Sequence, residues 1–376
     1  MLKALDDGNV KCESGLDVRN YGIVDGIPEC KKLFSEILDI APEKLIVFGN
    51  ASLTIMYDYI AQCMIFGAGA EPWCKQGNIK FLCPVPGYDR HFAICEFFGI
   101  KMVNIPLDEN GPDMDMVESL VASDETIKGM WCVPKYANPL GCTYSAETVR
   151  RIASLKPKAK DFRVFWDNAY AVHELYEDGD VLADIFEACE RYGNVNRVIY
   201  FASTSKISFP GAGVAIFAVS EENMAQIKAV MTIQTIGFDK INQLRHVKFF
   251  KNADGIRAHM DKLADIIRPK FESVLNQLET IKDTGIARWT NPKGGYFISL
   301  DVMEGCAKRV EQLCANAGMI LTPAGATYPY GNDLRDRNIR IAPTYPCDED
   351  LKVAMHVFTV CVKLAAVEKL ISEKNA

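Results

Sequence analysis

Short apolar runs that do not alternate with polar residues recur along this chain, and they limit the folds open to it more than any other feature. Each run is followed by polar, glycine or proline residues and then by a helical stretch. Four such units lie at residues 78–90, 128–141, 161–170 and 196–206. Strands that are buried on both faces of a parallel sheet have this pattern, whereas half-exposed strands alternate. The sequence therefore predicts an α/β fold, with a large domain in which a mostly parallel sheet lies between two layers of helices.

The ends of these runs also predict where a ligand would bind. In open α/β sheets, ligands lie beyond the carboxyl ends of the strands, and each of the four runs ends in polar residues. A further segment, 49–67, places Gly, Asn and Ser before a helix with apolar periodicity. Free backbone amides at such a helix start attract anions, phosphate among them. We therefore expect one site, assembled from several strand ends and a helix N-terminus.

The pattern changes after about residue 254. Helical stretches then alternate with strands at 294–302 and 338–343, which is typical of a smaller α+β domain. We expect three segments: an N-terminal segment (1–27), a large domain (28–262) and a small C-terminal domain (263–376).

The composition excludes several classes of protein. The 42 basic and 49 acidic side chains give a net charge of -7, which disfavours a surface built to bind nucleic acid or an anionic membrane. No apolar stretch approaches the roughly 18 residues of a membrane span, and the first residues lack the layout of a signal peptide. The 13 cysteines show no spacing typical of a metal site or of a redox pair. We expect a reduced, cytoplasmic protein without a bound metal.

Four residues at the ends of the runs have the chemistry of a site. Lys206 follows a buried run and precedes a glycine-rich segment, so its amine can be partly desolvated and nucleophilic. Asp167 ends another run, where a carboxylate either caps a helix or pairs with a cationic ligand. Tyr170 can present its phenol to the same ligand or simply pack, and Asn138 can belong to an ordinary Asn-Pro turn. For each residue alone, the structural alternative is the commoner one.

The joint order of these residues resembles the pyridoxal-phosphate (PLP) enzymes of the aspartate aminotransferase superfamily, fold type I. The elements of the pattern are Asn138-Pro139-x-Gly141, Asp167-x-x-Tyr170, Ser203-x-Ser205-Lys206 and Arg340, with intervals of 29, 39 and 134 residues between Asn138, Asp167, Lys206 and Arg340. Within the superfamily, a divergent bacterial subgroup of aspartate aminotransferases is the most similar, on the segments 20–29, 49–53, 86–92 and 328–346. The resemblance covers nearly the whole chain and implies the PLP-dependent transferase fold.

The resemblance implies a role for each residue around the cofactor ring. Lys206 would form the Schiff base with the cofactor aldehyde and then move the proton between substrate and cofactor. Asp167 would pair with the pyridine nitrogen. Asn138 and Tyr170 would hydrogen-bond the phenolic oxygen of the ring, with Asn138 also beside the substrate. Arg340 would clamp the α-carboxylate of the substrate with its planar fork.

The resemblance also implies a phosphate site, formed by Ser203 and Ser205 together with Ala51 and Ser52 at the helix start. Most of the superfamily has an arginine about eight residues after the lysine, but residues 209–214 here contain none. The counter-charge of the phosphate is therefore not identified from the sequence.

Two tyrosines have roles implied by the same resemblance. Tyr88 is our prediction for the residue that stacks on the cofactor ring, with His91 as the alternative. Tyr21, in an Asn-Tyr-Gly turn, matches a tyrosine that reaches the phosphate of the neighbouring subunit, which implies a homodimer with shared active sites. Relatives usually have several dozen residues before this turn, whereas 19 residues precede Asn20 here, so the N-terminus looks short.

The expected activity is the transfer of an amino group from L-aspartate, or a similar amino acid, to 2-oxoglutarate, giving oxaloacetate and L-glutamate by ping-pong chemistry on Lys206. The side-chain carboxylate of the substrate has four candidate ligands: Arg90, Arg245, Arg335 and Arg337. Two alternatives remain open. In the first, the chain is a PLP-dependent β-lyase or decarboxylase, which uses the same residues because the cofactor carries the difficult chemical step. In the second, it is a truncated, non-catalytic PLP-binding domain, which would also retain these residues.

Overall fold

The computed structural model describes residues 1–375, which form helices and strands in alternation. The helices are α1 (Pro28–Leu38), α2 (Ser52–Phe66), α3 (Asp89–Phe97), α4 (Met114–Ser123), α5 (Ala146–Ser154), α6 (Ile185–Arg191), α7 (Glu221–Gln234), α8 (Lys240–Phe250), α9 (Ala253–Glu279), α10 (Ala307–Asn316) and α11 (Asp348–Asn375). The strands are β1 (Leu45–Val47), β2 (Lys80–Val85), β3 (Lys101–Asp108), β4 (Gly111–Pro112), β5 (Ile127–Cys132), β6 (Arg163–Asp167), β7 (Val198–Ser203), β8 (Ala215–Val219), β9 (Ala287–Trp289), β10 (Ile298–Val302) and β11 (Asn338–Ile341).

Eight of these strands form one large sheet, in the order β1-β8-β7-β6-β5-β2-β3-β4. The contiguous strands β7, β6, β5, β2 and β3 run parallel. The short edge strands β1 and β4, and β8, pair in the antiparallel sense. Parallel strands need crossover helices on the faces of the sheet, which bury both faces. This mixed but mostly parallel sheet confirms the large α/β part predicted from the apolar runs.

The residues of the central strands show why the sheet has two covered faces. Every residue of β5, β6 and β8 is buried. One apolar cluster, with Leu82, Val164 and Ile216, lies on one face, and a second, with Phe81 and Phe165, lies on the other. Gly129 in β5 is required by this packing, because a Cβ there would lie 2.3 Å from the ring of Phe81.

A second, smaller sheet of three antiparallel strands, in the order β11-β10-β9, lies in the C-terminal part. Its core combines these strands with α9, α10 and α11, and includes Phe271, Ile298, Val310 and Phe358. This arrangement confirms the smaller α+β part expected from the sequence.

Helix α9 connects the two parts, since its residues belong to two different cores. Ile256 and Met260 pack with Ile207 in one cluster, whereas Phe271 and Val274 belong to the core of the small sheet. The helix is continuous through Pro269, although a proline inside a helix removes one backbone hydrogen bond. The expected boundary between residues 262 and 263 falls inside α9 and stays a prediction.

Candidate active site

Parallel strands of the large sheet end at one edge and bring the predicted residues there. Asp167 is the last residue of β6, and Ser203 is the last residue of β7. Asn138 follows β5, and Tyr88 follows β2. Because β2, β5, β6 and β7 are parallel neighbours, their carboxyl ends lie side by side. The structure therefore places these four residues along a single edge, which we call the carboxyl edge.

Asp167 is buried, with 3% of its surface exposed, and only one of its oxygens has a partner. His91 Nε2 donates to Asp167 Oδ2 at 3.0 Å, and the His91 ring stacks on Trp131 with centroids 4.2 Å apart. Asp167 Oδ1 has no donor among residues 1–375. A buried carboxylate oxygen without a partner is costly, so this atom is suited to receive a hydrogen bond from a ligand.

Lys206 lies beside Tyr170 at the same edge. Its Nζ is 4.7 Å from the centroid of the Tyr170 ring. Desolvation lowers the pKa of the Lys206 amine, opposed by the nearby charge of Asp167. Burial, together with Asp167, raises the pKa of Tyr170 well above its usual value. The site thus contains an amine with an increased neutral fraction and a phenol that stays protonated. The backbone of Lys206 is also held in place, because Tyr296 Oη donates to the Lys206 carbonyl oxygen at 2.9 Å.

A buried histidine behind the lysine was not predicted from the sequence. His173 contacts the rings of Tyr170 and Tyr296 edge to face, with centroids 5.5 and 5.7 Å away. Neither of its ring nitrogens has a partner within the described part of the chain. Burial and the charge of Lys206 lower the pKa of His173 to about 3, so its ring is neutral at neutral pH. No motif marks this residue in the sequence, because its environment is created by tertiary packing.

The residues predicted for a phosphate lie where α2 begins. Ala51 is the N-cap residue, and its methyl side chain offers no acceptor to the first amides of α2. Ser203 Oγ donates to Ser205 Oγ at 3.1 Å. The loop after Lys206 comes close to this helix start, since a Cβ on Gly213 would lie 3.2 Å from the carbonyl oxygen of Asn50. A helix N-terminus with free amides, next to two hydroxyls, is suited to an anion.

The position where relatives have an arginine is occupied differently here. Val214 is buried in the core of the large sheet, and its amide donates to Thr204 Oγ1 at 2.8 Å. Helix α8 holds the same loop: Asn242 Nδ2 donates to the Gly213 carbonyl oxygen, and His246 Nε2 lies 2.8 Å from Ser208 Oγ. This loop is therefore fixed by hydrogen bonds from within the chain.

Arg340, in β11 of the small sheet, reaches across to the large part. Its Nη1 donates to Asp89 Oδ1 at 2.9 Å and to Asn138 Oδ1 at 3.3 Å, and its guanidinium carbon is 5.1 Å from the centroid of the Phe297 ring. Arg340 Nε is buried without a partner among the residues described. Of the sequence-predicted residues, Arg340 and Asn138 are thus in direct contact, whereas the partner Asp89 was missed.

Two of the predicted tyrosines lie in different environments. Tyr88 is partly buried and contacts His91 edge to face, with centroids 4.9 Å apart. Burial, with the charge of Asp167, raises the pKa of Tyr88 to about 12. Tyr21 is 73% exposed. Its expected role in a neighbouring subunit stays a prediction.

The four arginines considered for a second carboxylate lie in different surroundings. Arg90 is exposed. Arg245 Nη2 donates to Asn242 Oδ1. Arg335 pairs with Glu304 at 3.2 Å, and Arg337 lies 3.4 Å from Asp301. The structure therefore singles out none of them for this task.

The set of groups at the carboxyl edge fits PLP. The unpartnered oxygen of Asp167 matches the N–H of a protonated pyridine ring, and Lys206 supplies the amine that an aldehyde requires. The start of α2 matches the phosphate. Across residues 1–375, no group of His, Cys, Asp or Glu side chains is arranged to hold a metal ion. The same residues include no helix long and apolar enough to cross a membrane.

Comparison with known proteins identifies what the chain is similar to. The family model described as aspartate amino-transferase matches residues 1–374. A putative aminotransferase of Mycolicibacterium smegmatis is 48% identical over 363 residues, which is 96% of this chain and 85% of the relative. An aspartate aminotransferase of Corynebacterium glutamicum is 45% identical over 364 residues, 96% of this chain and 84% of the relative.

A solved structure agrees closely with the fold described above. It is the crystal structure of an aspartate transaminase from Corynebacterium glutamicum, with a TM-score of 0.95 and 44% identity. The match covers 98% of this chain and 88% of the other. The resemblance that the sequence motifs indicated is thereby confirmed.

Proposed function

The chain belongs to the aspartate aminotransferase family, and on that premise we propose that it transfers the amino group of L-aspartate, or a similar amino acid, to 2-oxoglutarate with PLP as cofactor. The products would be oxaloacetate and L-glutamate. As an aminotransferase, it acts on an amino acid and an oxo acid; the choice of aspartate rests on the names of its relatives.

The proposal rests on the burial and the hydrogen bonding of Asp167. Its carboxylate is buried, one oxygen is held by His91, and the other oxygen has no donor in residues 1–375. Such an atom is stabilised by a ligand that brings its own N–H group. A protonated pyridine nitrogen is a donor of this kind. When bound, PLP supplies an electron sink for the electrons of the substrate Cα–H bond.

We assign two roles to Lys206: the covalent bond to the cofactor and the transfer of the substrate proton. Desolvation lowers the pKa of its amine, so more of it is neutral at a given pH. A neutral amine can hold the cofactor aldehyde and accept the proton from the substrate Cα. Tyr170, whose pKa is raised by burial, would donate its phenolic hydrogen to the ring oxygen, with Asn138 as the second donor.

Arg340 is the residue we assign to the α-carboxylate of the substrate. Its guanidinium is oriented by Asn138 and by the face of Phe297, which leaves further N–H groups for a carboxylate. Bidentate hydrogen bonds from a planar guanidinium fix both the position and the direction of a carboxylate. The substrate Cα would thereby be held next to Lys206, where the proton has to be removed.

The phosphate of the cofactor would bind at the start of α2. Ala51 and Ser52 offer backbone amides, and Ser203 and Ser205 offer hydroxyls. The helix dipole favours a negative charge at this point. Tyr88 would pack against the cofactor ring, since it follows β2 at the same edge and contacts His91.

We also propose a homodimer with shared active sites. Tyr57 and Phe97 are exposed and lie with ring centroids 5.7 Å apart, and Gln234 Nε2 donates to Asp58 Oδ2, which places the exposed Ile233 nearby. Exposed apolar patches of this kind commonly mark interfaces. The exposed Tyr21 would then reach the phosphate site of the second subunit.

Light scattering of the holoenzyme tests the dimer. Tyr21→Phe should weaken PLP binding if the site is shared.

The cytoplasm is the compartment we propose for this activity. All thirteen cysteines are free thiols. Thiols persist in a reducing compartment, whereas oxidising compartments favour disulfides.

The proposed activity is tested with the purified protein and PLP. We expect a visible absorption band on adding PLP, loss of that band on adding L-aspartate with release of oxaloacetate, and return of the band on adding 2-oxoglutarate. Ammonia or carbon dioxide as the product would instead indicate a lyase or a decarboxylase. A band that no amino acid discharges would contradict transamination, and absence of any band would contradict the cofactor.

A further inference from the structure

We propose that Asp89 is an internal competitor for Arg340, which weakens the binding of substrate and product carboxylates and so speeds their exchange. This inference rests on the proposed function, in that Arg340 is taken as the residue that binds carboxylates. It assigns a role to a residue for which the sequence resemblance implied none. The contact that carries it is the bond from Arg340 Nη1 to Asp89 Oδ1, at 2.9 Å.

The two partners of this ion pair differ in their access to solvent. The Arg340 side chain is 11% exposed, whereas that of Asp89 is 33% exposed. The guanidinium therefore depends on nearby acceptors to compensate its charge. Asp89 provides one full negative charge in contact with it, where a carboxylate ligand would provide another.

The position of Asp89 keeps that charge in place. It is the first residue of α3, where the helix dipole favours an acidic side chain. Helix α3 belongs to the large part, and Arg340 belongs to the small sheet. Other hydrogen bonds also join the large part to the small part. Gly87 N donates to the Thr327 carbonyl oxygen at 2.7 Å, and Met102 N donates to Tyr330 Oη at 3.1 Å. Asp89 is therefore not needed to keep the two parts together.

Asp89 is also not needed to orient Arg340. The backbone of Arg340 is fixed by the pairing of β11 with β10, where it lies opposite Ser299. The guanidinium lies over the ring of Phe297 and donates to Asn138 Oδ1. With three other constraints on the same side chain, the distinctive contribution of Asp89 is its negative charge.

That charge has a predictable effect on a ligand. A carboxylate bound to the remaining N–H groups of Arg340 would lie close to Asp89, and two like charges repel each other. The repulsion acts equally on bound substrate and on the transition state, since both carry the same carboxylate. It therefore raises KM without changing kcat for the chemical step, and it favours release of product. An enzyme whose substrates and products are all carboxylates gains faster exchange in this way.

The test uses Asp89→Asn in the PLP-loaded enzyme, because asparagine keeps the size and the acceptor oxygen but removes the charge. The probe is maleate, an unreactive dicarboxylate, with its Kd measured by calorimetry. We expect the Kd of maleate and the KM for L-aspartate to fall about fivefold, with kcat not increased. In an Arg340→Gln background, maleate should bind far more weakly whether or not Asp89 is replaced, because Arg340 is the residue that holds its carboxylate.

Asp115→Asn is the matched control. Asp115 also lies in the first turn of a helix, α4, and pairs with an arginine, Arg151, but on the surface. We expect no change in the Kd of maleate for this variant. An unchanged or weaker Kd in Asp89→Asn would overturn the inference, a weaker one by showing that Asp89 orients Arg340. Failure of the wild type to transaminate L-aspartate would contradict the proposed function, whereas the maleate measurements judge Asp89 independently.

Discussion

The two ends of strand β6 differ in whether their buried charged groups have hydrogen-bond partners. At its start, Arg163 Nη2 donates to the Ala68 carbonyl oxygen at 2.6 Å. Asp161, two residues before the strand, accepts hydrogen bonds from Lys128, Trp73 and Gln76 at 2.8 to 2.9 Å. At its end, Asp167 has an oxygen without a donor in the described residues. The first residue of this five-residue strand is thus a partnered arginine, and the last is a partly unpartnered aspartate.

Structural and functional charges in this fold differ in whether the chain itself completes their hydrogen bonds. Hydrogen bonds hold the pKa of Asp161 below its usual value despite burial, so this charge is stabilised by the chain itself. Polar atoms of Asn168 and His173, and of Arg340, which reaches this edge from the small sheet, are also without partners among residues 1–375. Native proteins rarely leave such atoms unsatisfied unless a ligand or water completes them. We therefore expect mutations at the start of β6 to affect stability and mutations at its end to affect activity.

The sharpest test is Lys206→Met. Removal of the amine that holds the cofactor and moves the proton should lower the aspartate half-reaction by about 10⁴-fold or more. The stability of the cofactor-free protein should be unchanged or slightly increased, because a desolvated amine is replaced by an apolar group of similar shape. Rapid mixing with L-aspartate and urea unfolding measure the two quantities. A clear loss of stability would place Lys206 with the structural charges instead.

The same substitution at the opposite edge, Lys128→Met, should have the opposite profile. It leaves Asp161 buried without its cation, which costs about 3–5 kcal/mol of unfolding free energy. Activity per folded molecule should stay within about twofold of the wild type, since Lys128 lies far from the carboxyl edge along β5. Urea unfolding and kcat at a temperature below the transition check this. Loss of activity without loss of stability would show that Lys128 serves the active site instead of the fold.

Arg340→Lys tests whether the carboxyl edge separates cofactor from substrate. Lysine keeps the charge but loses the planar fork, so KM for L-aspartate should rise about 10- to 100-fold, a loss of about 1.5–3 kcal/mol. The affinity for PLP should be unchanged, because the groups assigned to PLP belong to the large part of the molecule, whereas Arg340 belongs to the small sheet. Titration with PLP and steady-state kinetics measure both. Weakened PLP binding would show that Arg340 has been assigned to the wrong ligand.

The smallest expected effect is on the pH dependence of stability. It involves His246, which lies near the site and has hydrogen-bond partners for both ring nitrogens. His246 Nδ1 donates to the Asn242 carbonyl oxygen at 2.8 Å, and burial lowers its pKa to about 4. Between about pH 6.5 and 4 the unfolded chain binds a proton that the folded chain does not, so stability falls as the pH falls. His246→Gln should reduce this slope by about 1 kcal/mol per pH unit. Unfolding at several pH values measures the slope, and an unaltered slope would contradict the origin we give for it.

The sequence predicted the large sheet and the residues at its strand ends because both depend on local patterns. An unalternating apolar run identifies a buried strand, and Asp167 and Ser203 end such runs. The antiparallel pairing of β1 with β8 has no comparable signal, since β1 is three residues long. Helix α9 continues through Pro269 because the packing of its flanking turns outweighs the lost hydrogen bond.

The contacts that complete the candidate site could not be predicted in the same way. His91 meets Asp167 across 76 residues, and Asp89 meets Arg340 across 251 residues. Each contact depends on how two elements pack, which no local pattern encodes. The position of Arg340 was available through the resemblance of spacing to known enzymes, but its partner Asp89 was not. The unpartnered nitrogens of His173 likewise depend on the rings that enclose it.

Helix α9 couples the unfolding of the two parts of the molecule. Its first half packs with Ile207, next to Lys206, and His259 Nε2 lies 2.8 Å from the Ile207 carbonyl oxygen; its second half is part of the small core. Fraying of the small sheet would therefore remove packing from the segment that carries the lysine. We expect the two parts to melt in one cooperative transition, with the amides of residues 256–278 exchanging hydrogen only through global opening. A chain built in this way loses its reactive amine and its small core together.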